Sequence, residues 1–315
     1  MTRFEARPFF TPEVPLRYLP EGPRVLRHEG DGSRYLGWVA IQHGPGETPG
    51  SVNVLHLGTG ENDSHPLPGR PGFFAETDQP GVLVVGMERD LVLYDLHRRQ
   101  LVSKRLRVTD DPRVIINEGL AVAGGLLFGT KHTSFSEPVA SLYWFDAAAG
   151  QFHTLDAAQV CANGKFLRDG RLVDIDSFKK TLDEYPIDFT VPRLGERRIV
   201  ADFRETPLFP DGLRPCPDGE SVVVAFYNPQ PEPAGVARQF RIADGEVLAE
   251  WTLPGSPRVT CPEFVKLDGK VCLVFTTAIE GMDPVSTHAG SLFVAETPFD
   301  TMPPAPPLFP AGALL

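Results

Sequence analysis

Six short pairs of apolar runs of β-strand composition, starting at intervals of roughly 45 to 50 residues, constrain this chain more than any other feature. They cover residues 35–57, 81–96, 125–146, 170–188, 221–242 and 270–296, each a Val/Leu/Phe/Tyr-rich run, a turn and a second run. Such spacing is what a four-stranded blade produces when it repeats around an axis, whereas a β-sandwich needs no such regularity. No convincing long helix competes, because proline or glycine interrupts nearly every stretch with apolar residues at i, i+3, i+4 and i+7. The pattern predicts an all-β fold, a six-bladed β-propeller with four-stranded antiparallel blades around a central channel, occupying residues 1–315 as one domain. Closing the ring asks the two chain ends to share a blade, and residues 4–10 are the candidate for that strand. The Pro-rich end, TMPPAPPLFPAGALL, within about 297–315, reads as an extended strap, since proline cannot donate to a ladder.

Composition supports a folded chain: 42% of its 315 residues are hydrophobic and 23% charged, enough apolar material for a large core. Its 30 glycines and 32 prolines are spread along the chain, where they punctuate short elements, and are not concentrated in a linker. With 30 Lys and Arg against 41 Asp and Glu, the formal charge is -11, which gives a nucleic-acid partner little electrostatic support. No apolar run approaches the ~18 residues of a membrane span, and the N-terminal stretch lacks the hydrophobic core of a signal peptide, so a cytoplasmic location with no membrane partner is expected. Cys161, Cys216, Cys261 and Cys272 form no C-x-x-C pair and read as reduced, partly buried thiols. The histidines show no H-E-x-x-H spacing, and none is arranged with a cysteine as a nucleophile pair would be.

The polar groups that begin or precede strands are more informative. Glu21-Gly22-Pro23, Asn117-Glu118-Gly119, Asn163-Gly164 and Asp211-Gly212 each place a carboxylate or amide oxygen at or just before a glycine, shortly upstream of a strand pair. The innermost strands of a propeller line its channel, so such oxygens can converge although they lie far apart in sequence, and an oxygen-rich set suits hard divalent cations. Asn-Gly and Asp-Gly are also favoured turn dipeptides, and each tag taken alone is consistent with a turn.

In order and spacing these tags resemble the gluconolactonase, regucalcin (senescence marker protein) and luciferin-regenerating-enzyme-like family of six-bladed propellers, over about residues 19–296. Glu21-Gly22-Pro23 followed by Tyr35-Leu36-Gly37-Trp38-Val39 resembles the first blade of that family, and FAETDQPGVLVVGMERDLVLYDL, from Phe74, its second. Asn117-Glu118-Gly119, Phe128-Gly129-Thr130 and Ser141-Leu142-Tyr143 resemble the third blade; Ala162-Asn163-Gly164 with Asp176-Ser177 resembles the fourth. Pro210-Asp211-Gly212-Leu213, with Ala225-Phe226-Tyr227-Asn228 after it, is similar to the fifth, and Thr260-Cys261, Gly281-Met282-Asp283-Pro284 and Ala289-Gly290-Ser291-Leu292-Phe293 are similar to the last.

The resemblance implies one divalent cation, Ca²⁺ ahead of Mg²⁺, Mn²⁺ or Zn²⁺, held by Glu21, Asn163 and Asp211 with positions open to water and substrate. It implies a metal-dependent hydrolase of a sugar lactone or related small ester, with the cation polarising the carbonyl and Asp211 activating or orienting water. Asn117 falls at a substrate-binding amide; Glu118, which replaces an Asp beside it, either reaches the substrate pocket with it or supports the loop. An organophosphate-type esterase on the same site is one alternative, and a non-catalytic calcium-binding propeller another. Two departures bear on substrate. Ile115 stands where regucalcin-like members carry an arginine, and Lys131 stands where they carry Met, followed by His132. If Lys131 faces the channel it adds a cation that would attract an anionic substrate; otherwise it is a solvated loop lysine. These changes favour a lactone or ester that carries a negative group or a more apolar body. Phe9, Phe10, Phe73 and Phe74 are expected chiefly in the core.

Overall fold

The computed structural model describes residues 1–27 and 34–315. Its regular structure is almost wholly antiparallel sheet, with two single-turn 3₁₀ helices, Val14–Arg17 and Ala311–Leu314. Among the described residues no helix is long and apolar enough to cross a membrane.

Six sheets follow one another along the chain, each built from consecutive strands in meander order, which makes the fold a six-bladed β-propeller. Blade 1 runs Pro20–Leu26, Tyr35–Ala40, Gly50–His56 and Asn62–Leu67. Blade 2 opens with Pro71–Glu76, Val82–Met87 and Asp90–Asp95, and its outer edge is split between Gln100–Leu101 and Leu106–Arg107. Blade 3 runs Val114–Val122, Gly125–His132, Ala140–Asp146 and Gln151–Gln159; blade 4 runs Ala162–Arg168, Arg171–Asp176, Thr181–Asp188 and the short Arg193–Leu194. Blade 5 runs Phe209–Pro215, Ser221–Tyr227, Ala234–Arg241 and Val247–Pro254. Blade 6 runs Val259–Leu267, Lys270–Thr277 and Leu292–Glu296, with Arg7–Phe10 as its outer strand. The six apolar pairs of the sequence are thus the second and third strands of each blade, buried on both faces and therefore the easiest to read.

Chain contacts divide the molecule into two compact units, Met1–Arg70 with Val200–Pro304, and Pro71–Ile199 with Ala305–Leu315. In the first unit, Trp251, Phe264, Phe275 and Phe293 fill a core between blades 5 and 6, and Leu36, Trp38, Leu55, Val265 and Val274 one between blades 6 and 1. Phe9 and Phe10 pack on the second of these cores. The N-terminal residues serve two blades in turn: Thr2–Glu5 pairs in parallel with Val247–Pro254, and Arg7–Phe10 pairs antiparallel with Leu292–Glu296. In the second unit, Phe73, Phe128 and Phe145 pack between blades 2 and 3, joined by Phe309, Ala311 and Leu314 from the C-terminal segment. Backbone bonds from Asp78 N to Phe309 O and from Phe309 N to Glu76 O, each 2.9 Å, tie that segment to blade 2. Val122, Leu127, Leu142, Trp144 and Leu172 pack between blades 3 and 4.

Candidate metal and substrate site

The first strand of every blade breaks register with the second at one place. The irregularity falls between Glu21 and Arg24 in blade 1, Pro71 and Phe73 in blade 2, and Ile116 and Glu118 in blade 3. It falls between Ala162 and Lys165 in blade 4, Pro210 and Leu213 in blade 5, and Val259 and Cys261 in blade 6. A bulge leaves its extra residue outside the ladder and re-aims the side chain. Glu21, Asn117, Glu118, Asn163 and Asp211 all sit at or beside these bulges, so the oxygen-Gly tags are bulge residues, not the loop turns that their composition also allows.

Within the first unit, the bulges of blades 1, 5 and 6 interlock. Glu21 is 7% and Asp211 8% exposed, and one Glu21 carboxylate oxygen accepts the Gly22 N–H at 2.6 Å, which fixes the carboxylate plane. Cys261 brings its Sγ within 4.8 Å of a Glu21 carboxylate oxygen. A Cβ on Gly212 would collide with Cys261 Sγ, so glycine beside Asp211 is required by close approach. Thr260 Oγ1 donates to Pro20 O at 2.7 Å, joining blade 6 to blade 1. Below the bulges a buried guanidinium, Arg214, donates to Glu263 Oε2 at 3.0 Å and to Pro23 O at 2.8 Å, and Arg24 lies 3.8 Å from the same Glu263 oxygen. Burial works against the charge on Arg214, but the neighbouring Cys261, Glu263 and Glu21 outweigh it and raise its pKa. Beside Asp211, burial first, then the carboxylates of Glu280 and Asp211 acting against Arg258, raise the pKa of the Tyr227 phenol. That hydroxyl donates to Glu280 O at 3.2 Å.

Within the second unit, the bulges of blades 2, 3 and 4 interlock in the same way. A Cβ on Gly72 would strike the Ile116 and Asn117 carbonyls. Asn117 Nδ2 donates to Ala162 O at 2.9 Å and to Cys161 Sγ at 3.7 Å. Asn163 Nδ2 donates to Ser177 Oγ at 3.1 Å. Both amides therefore spend their N–H side on protein and present Oδ1 as an acceptor, the atom that a cation or a substrate hydroxyl needs. Glu118 is buried at 2%. Lys165, with a fully buried side chain, donates to Asn163 O and lies 3.9 Å from Asp174. Lys131 is half-buried, pairs with Ile115, bridges to Cys161, and holds its Nζ 5.6 Å from the centre of the Phe135 ring.

The donor chemistry within each unit suits a hard divalent cation: in the first, two buried carboxylates on blades 1 and 5; in the second, an amide on blade 4 whose orientation is fixed to offer oxygen. Cys261 was not singled out for a role from sequence. Laying the first strands of the blades over one another would have pointed to it, because it stands beside Thr260, the unpaired bulge residue of blade 6, as Asp211-Gly212 is the unpaired stretch of blade 5. A groove of about 1160 Å³ in the first unit, lined by Arg3, Arg7, Phe9, Lys266 and Lys270 among others, touches none of the bulge residues.

The SMP-30/gluconolactonase/LRE-like region model matches residues 19–278. The chain belongs to this family. Solved structures similar to this SMP-30/gluconolactonase/LRE-like chain include a calcium-binding protein, regucalcin, from Agrobacterium tumefaciens, at 22% identity and TM-score 0.80, covering 98% of this chain and 99% of that one. A luciferin-regenerating enzyme aligns at 19% identity and TM-score 0.75 over 96% of both chains. A gluconolactonase from Xanthomonas campestris aligns at 16% identity and TM-score 0.63, over 93% of this chain and 90% of its own. At these identities the structures speak for the fold of this family member. A search of curated protein sequences gives no match.

Proposed function

We propose that the protein is a divalent-metal-dependent hydrolase of a lactone or related small ester, with Glu21, Asn163 and Asp211 as metal ligands. The observation that carries this reading is the coincidence of a bulge with an oxygen-bearing residue on the first strands of blades 1, 3, 4 and 5, in a chain whose family includes gluconolactonases. A bound cation supplies Lewis acidity toward the substrate carbonyl and charge neutralisation between the carboxylates.

The remaining chemistry belongs to the chain. Asp211, buried and next to a glycine that keeps its surroundings tight, accepts a proton from the attacking water as the hydroxide oxygen bonds to the carbonyl carbon. The ring C–O bond then breaks, and the departing oxygen takes up the proton that Asp211 holds, which gives the hydroxy acid and restores the carboxylate. Asn117, with Nδ2 committed to Ala162 O, offers Oδ1 to a substrate hydroxyl, so it orients the ring by accepting a hydrogen bond and not by donating one. Ser177 holds the Asn163 amide and keeps its oxygen on the ligand side.

The test is acid release from glucono-δ-lactone and from acidic sugar lactones by protein stripped with chelator and reloaded with Ca²⁺, Mg²⁺, Mn²⁺ or Zn²⁺. Turnover lost on stripping, restored by a divalent ion and abolished in Asp211→Ala with an unchanged unfolding curve is the expected result. Tight cation binding with no turnover on any lactone would leave a calcium-binding propeller instead, and turnover confined to phosphotriesters would move the reaction to phosphorus.

A further inference from the structure

Of the 21 phenylalanines in the chain, Phe135 and Phe178 alone are strongly exposed, at 38% and 41%, and they stack on each other. Their centroids are 5.3 Å apart and their planes 8° from parallel. Two exposed aromatic rings stacked on each other leave a shared apolar edge open to solvent, whereas singly scattered apolar residues carry no such meaning. Phe135 also adopts φ 53°, a left-handed conformation unfavourable for a bulky residue. That backbone is held in place by its surroundings: Phe135 N–H bonds to His132 O at 3.0 Å, and the buried His132 ring accepts Ser136 and Glu137 N–H at 3.1 and 3.2 Å through Nδ1. Strain retained where a glycine would sit without it, in order to hold an exposed ring, points to use of that ring.

The platform is continuous with the candidate site inside the second unit. Phe178 follows Ser177, which accepts the Asn163 amide, and Phe178 N–H is fixed by Asp176 Oδ1 at 3.1 Å. Ser177 N–H bonds to Cys161 O at 3.0 Å, and Cys161 Sγ accepts from Asn117. Lys131 bridges to Cys161 from the other side and holds its ammonium 5.6 Å from the Phe135 ring centre, with no ion pair to a carboxylate among the described residues. A cation over one ring keeps its outer donors for an anion.

We propose that Lys131, Phe135 and Phe178 form a substrate subsite for a planar apolar group bearing a carboxylate, so that the preferred lactone or ester is an aromatic or otherwise flat, anionic one and not a neutral sugar lactone. The subsite rests on the hydrolase reading for its role, but its ligand chemistry can be tested without turnover. The planar group packs against the shared edge of the stacked rings, and its carboxylate faces Lys131. The carbonyl is thereby set toward Asn117 and Asn163. Ile115, in the ladder position opposite Lys131, is apolar, so Lys131 is the cation of that pair.

The experiment titrates the full-length protein with 2-naphthoate and with its uncharged analogue 2-naphthamide, followed by saturation-transfer NMR, with no metal added. Phe135→Gly suits the left-handed backbone and removes only the ring, and Phe178→Ser removes the other. Each should weaken naphthoate binding about five- to tenfold while the unfolding midpoint stays in place. Lys131→Met should lower the preference for naphthoate over naphthamide roughly threefold and leave the amide bound as before. Wild-type protein that fails to bind naphthoate at millimolar concentration, or ring variants that bind it as wild type does, would overturn the subsite. Naphthoate binding that follows the variants in a protein that hydrolyses no lactone would keep the subsite and remove the hydrolase reading. Turnover of neutral sugar lactones with no naphthoate binding would do the reverse.

Discussion

The two units use the same bulge for opposite electrostatic ends. In the first, the bulges carry Glu21, Asp211 and the thiol of Cys261, and directly beneath them a charged set of Arg214, Glu263 and Arg24 is buried. In the second, the bulges carry Gly72, Asn117 and Asn163, uncharged groups whose amide nitrogens are tied down, with the carboxylates of Glu118 and Asp176 beside them. Buried charge there lies deeper in blade 4, in a cross-strand row of Lys165, Asp174 and Asp183. A bulge thus decides where a side chain is aimed, and the residue placed in it decides whether the position attracts a cation or fixes a ligand by hydrogen bonds. At its bulges the first unit sets out charge, and the second sets out amides held in a fixed orientation.

The largest test of that contrast removes the support for charge in the first unit. Arg214→Met removes the hydrogen-bonded cation of the buried Glu263 carboxylate, leaving it Arg24 at 3.8 Å, and should cost about 3 kcal/mol in denaturant unfolding, while Arg214→Met combined with Glu263→Gln recovers much of it. A single variant as stable as wild type would mean that Arg214 is not the partner that lets this wall bury carboxylates.

Next in size is the loss of a ligand charge. Glu21→Gln keeps the shape of the side chain and removes its charge; since outer partners of a metal site are already worth 10–100-fold, the cation should bind weaker by on the order of 10²-fold or more in calorimetric titration. Ser177→Ala, in the second unit, removes no ligand and no charge. It frees the Asn163 amide to rotate and should weaken the same titration about tenfold. Equal losses from the two variants would erase the division between charge and geometry.

The smallest effect is a change of slope. Burial pushes the Asp174 carboxyl up to about 7, against the pull of Lys165 and the Gln159 hydrogen bond, with Asp176 adding to the rise and Lys179 opposing it. The native state therefore holds a proton that the unfolded chain releases near 3.8, so stability from this group is present at low pH and is lost as pH climbs to about 7. Asp174→Asn should flatten that decline in unfolding free energy and change little, within about 1 kcal/mol, near pH 5, where the native carboxyl is already neutral. An unchanged slope would show that Asp174 is ionised throughout as the partner of Lys165.

The central strands of each blade were legible because both of their faces are buried: Val84, Val85, Leu126, Leu127, Val223 and Val224 leave no polar residue to blur the run. The tags were legible for another reason, since a glycine beside an acid or amide survives wherever two strands approach as Gly212 approaches Cys261. What the tags do structurally was not legible. A bulge is a property of two paired strands and leaves no mark on one of them. Cys261 was passed over for want of a nearby histidine, when the relevant neighbour was Glu21, far off in sequence. Lys165 and Asp174 carry no sequence signal of their burial, because each sits in a strand of mixed polarity. The outer strands were hardest to read, being short and half-exposed, and the parallel pairing of Thr2–Glu5 has no sequence signature.

The N-terminal strands bear on how the molecule is assembled. Thr2–Glu5 and Arg7–Phe10 find their partners in Val247–Pro254 and Leu292–Glu296, and Thr11 meets Ser291 across a separation of 280 residues. During synthesis this segment leaves the ribosome long before the strands that will receive it exist, so it waits as an unpaired ribbon while the intervening sheets form around it. Its docking is the step that converts an open stack into a finished one, and until then blade 6 offers its third strand to any other chain with an extended segment to lend. Nascent copies crowded on one message would be the first to exchange these ribbons, and dilution during refolding would be the simplest way to keep each with its own sheet.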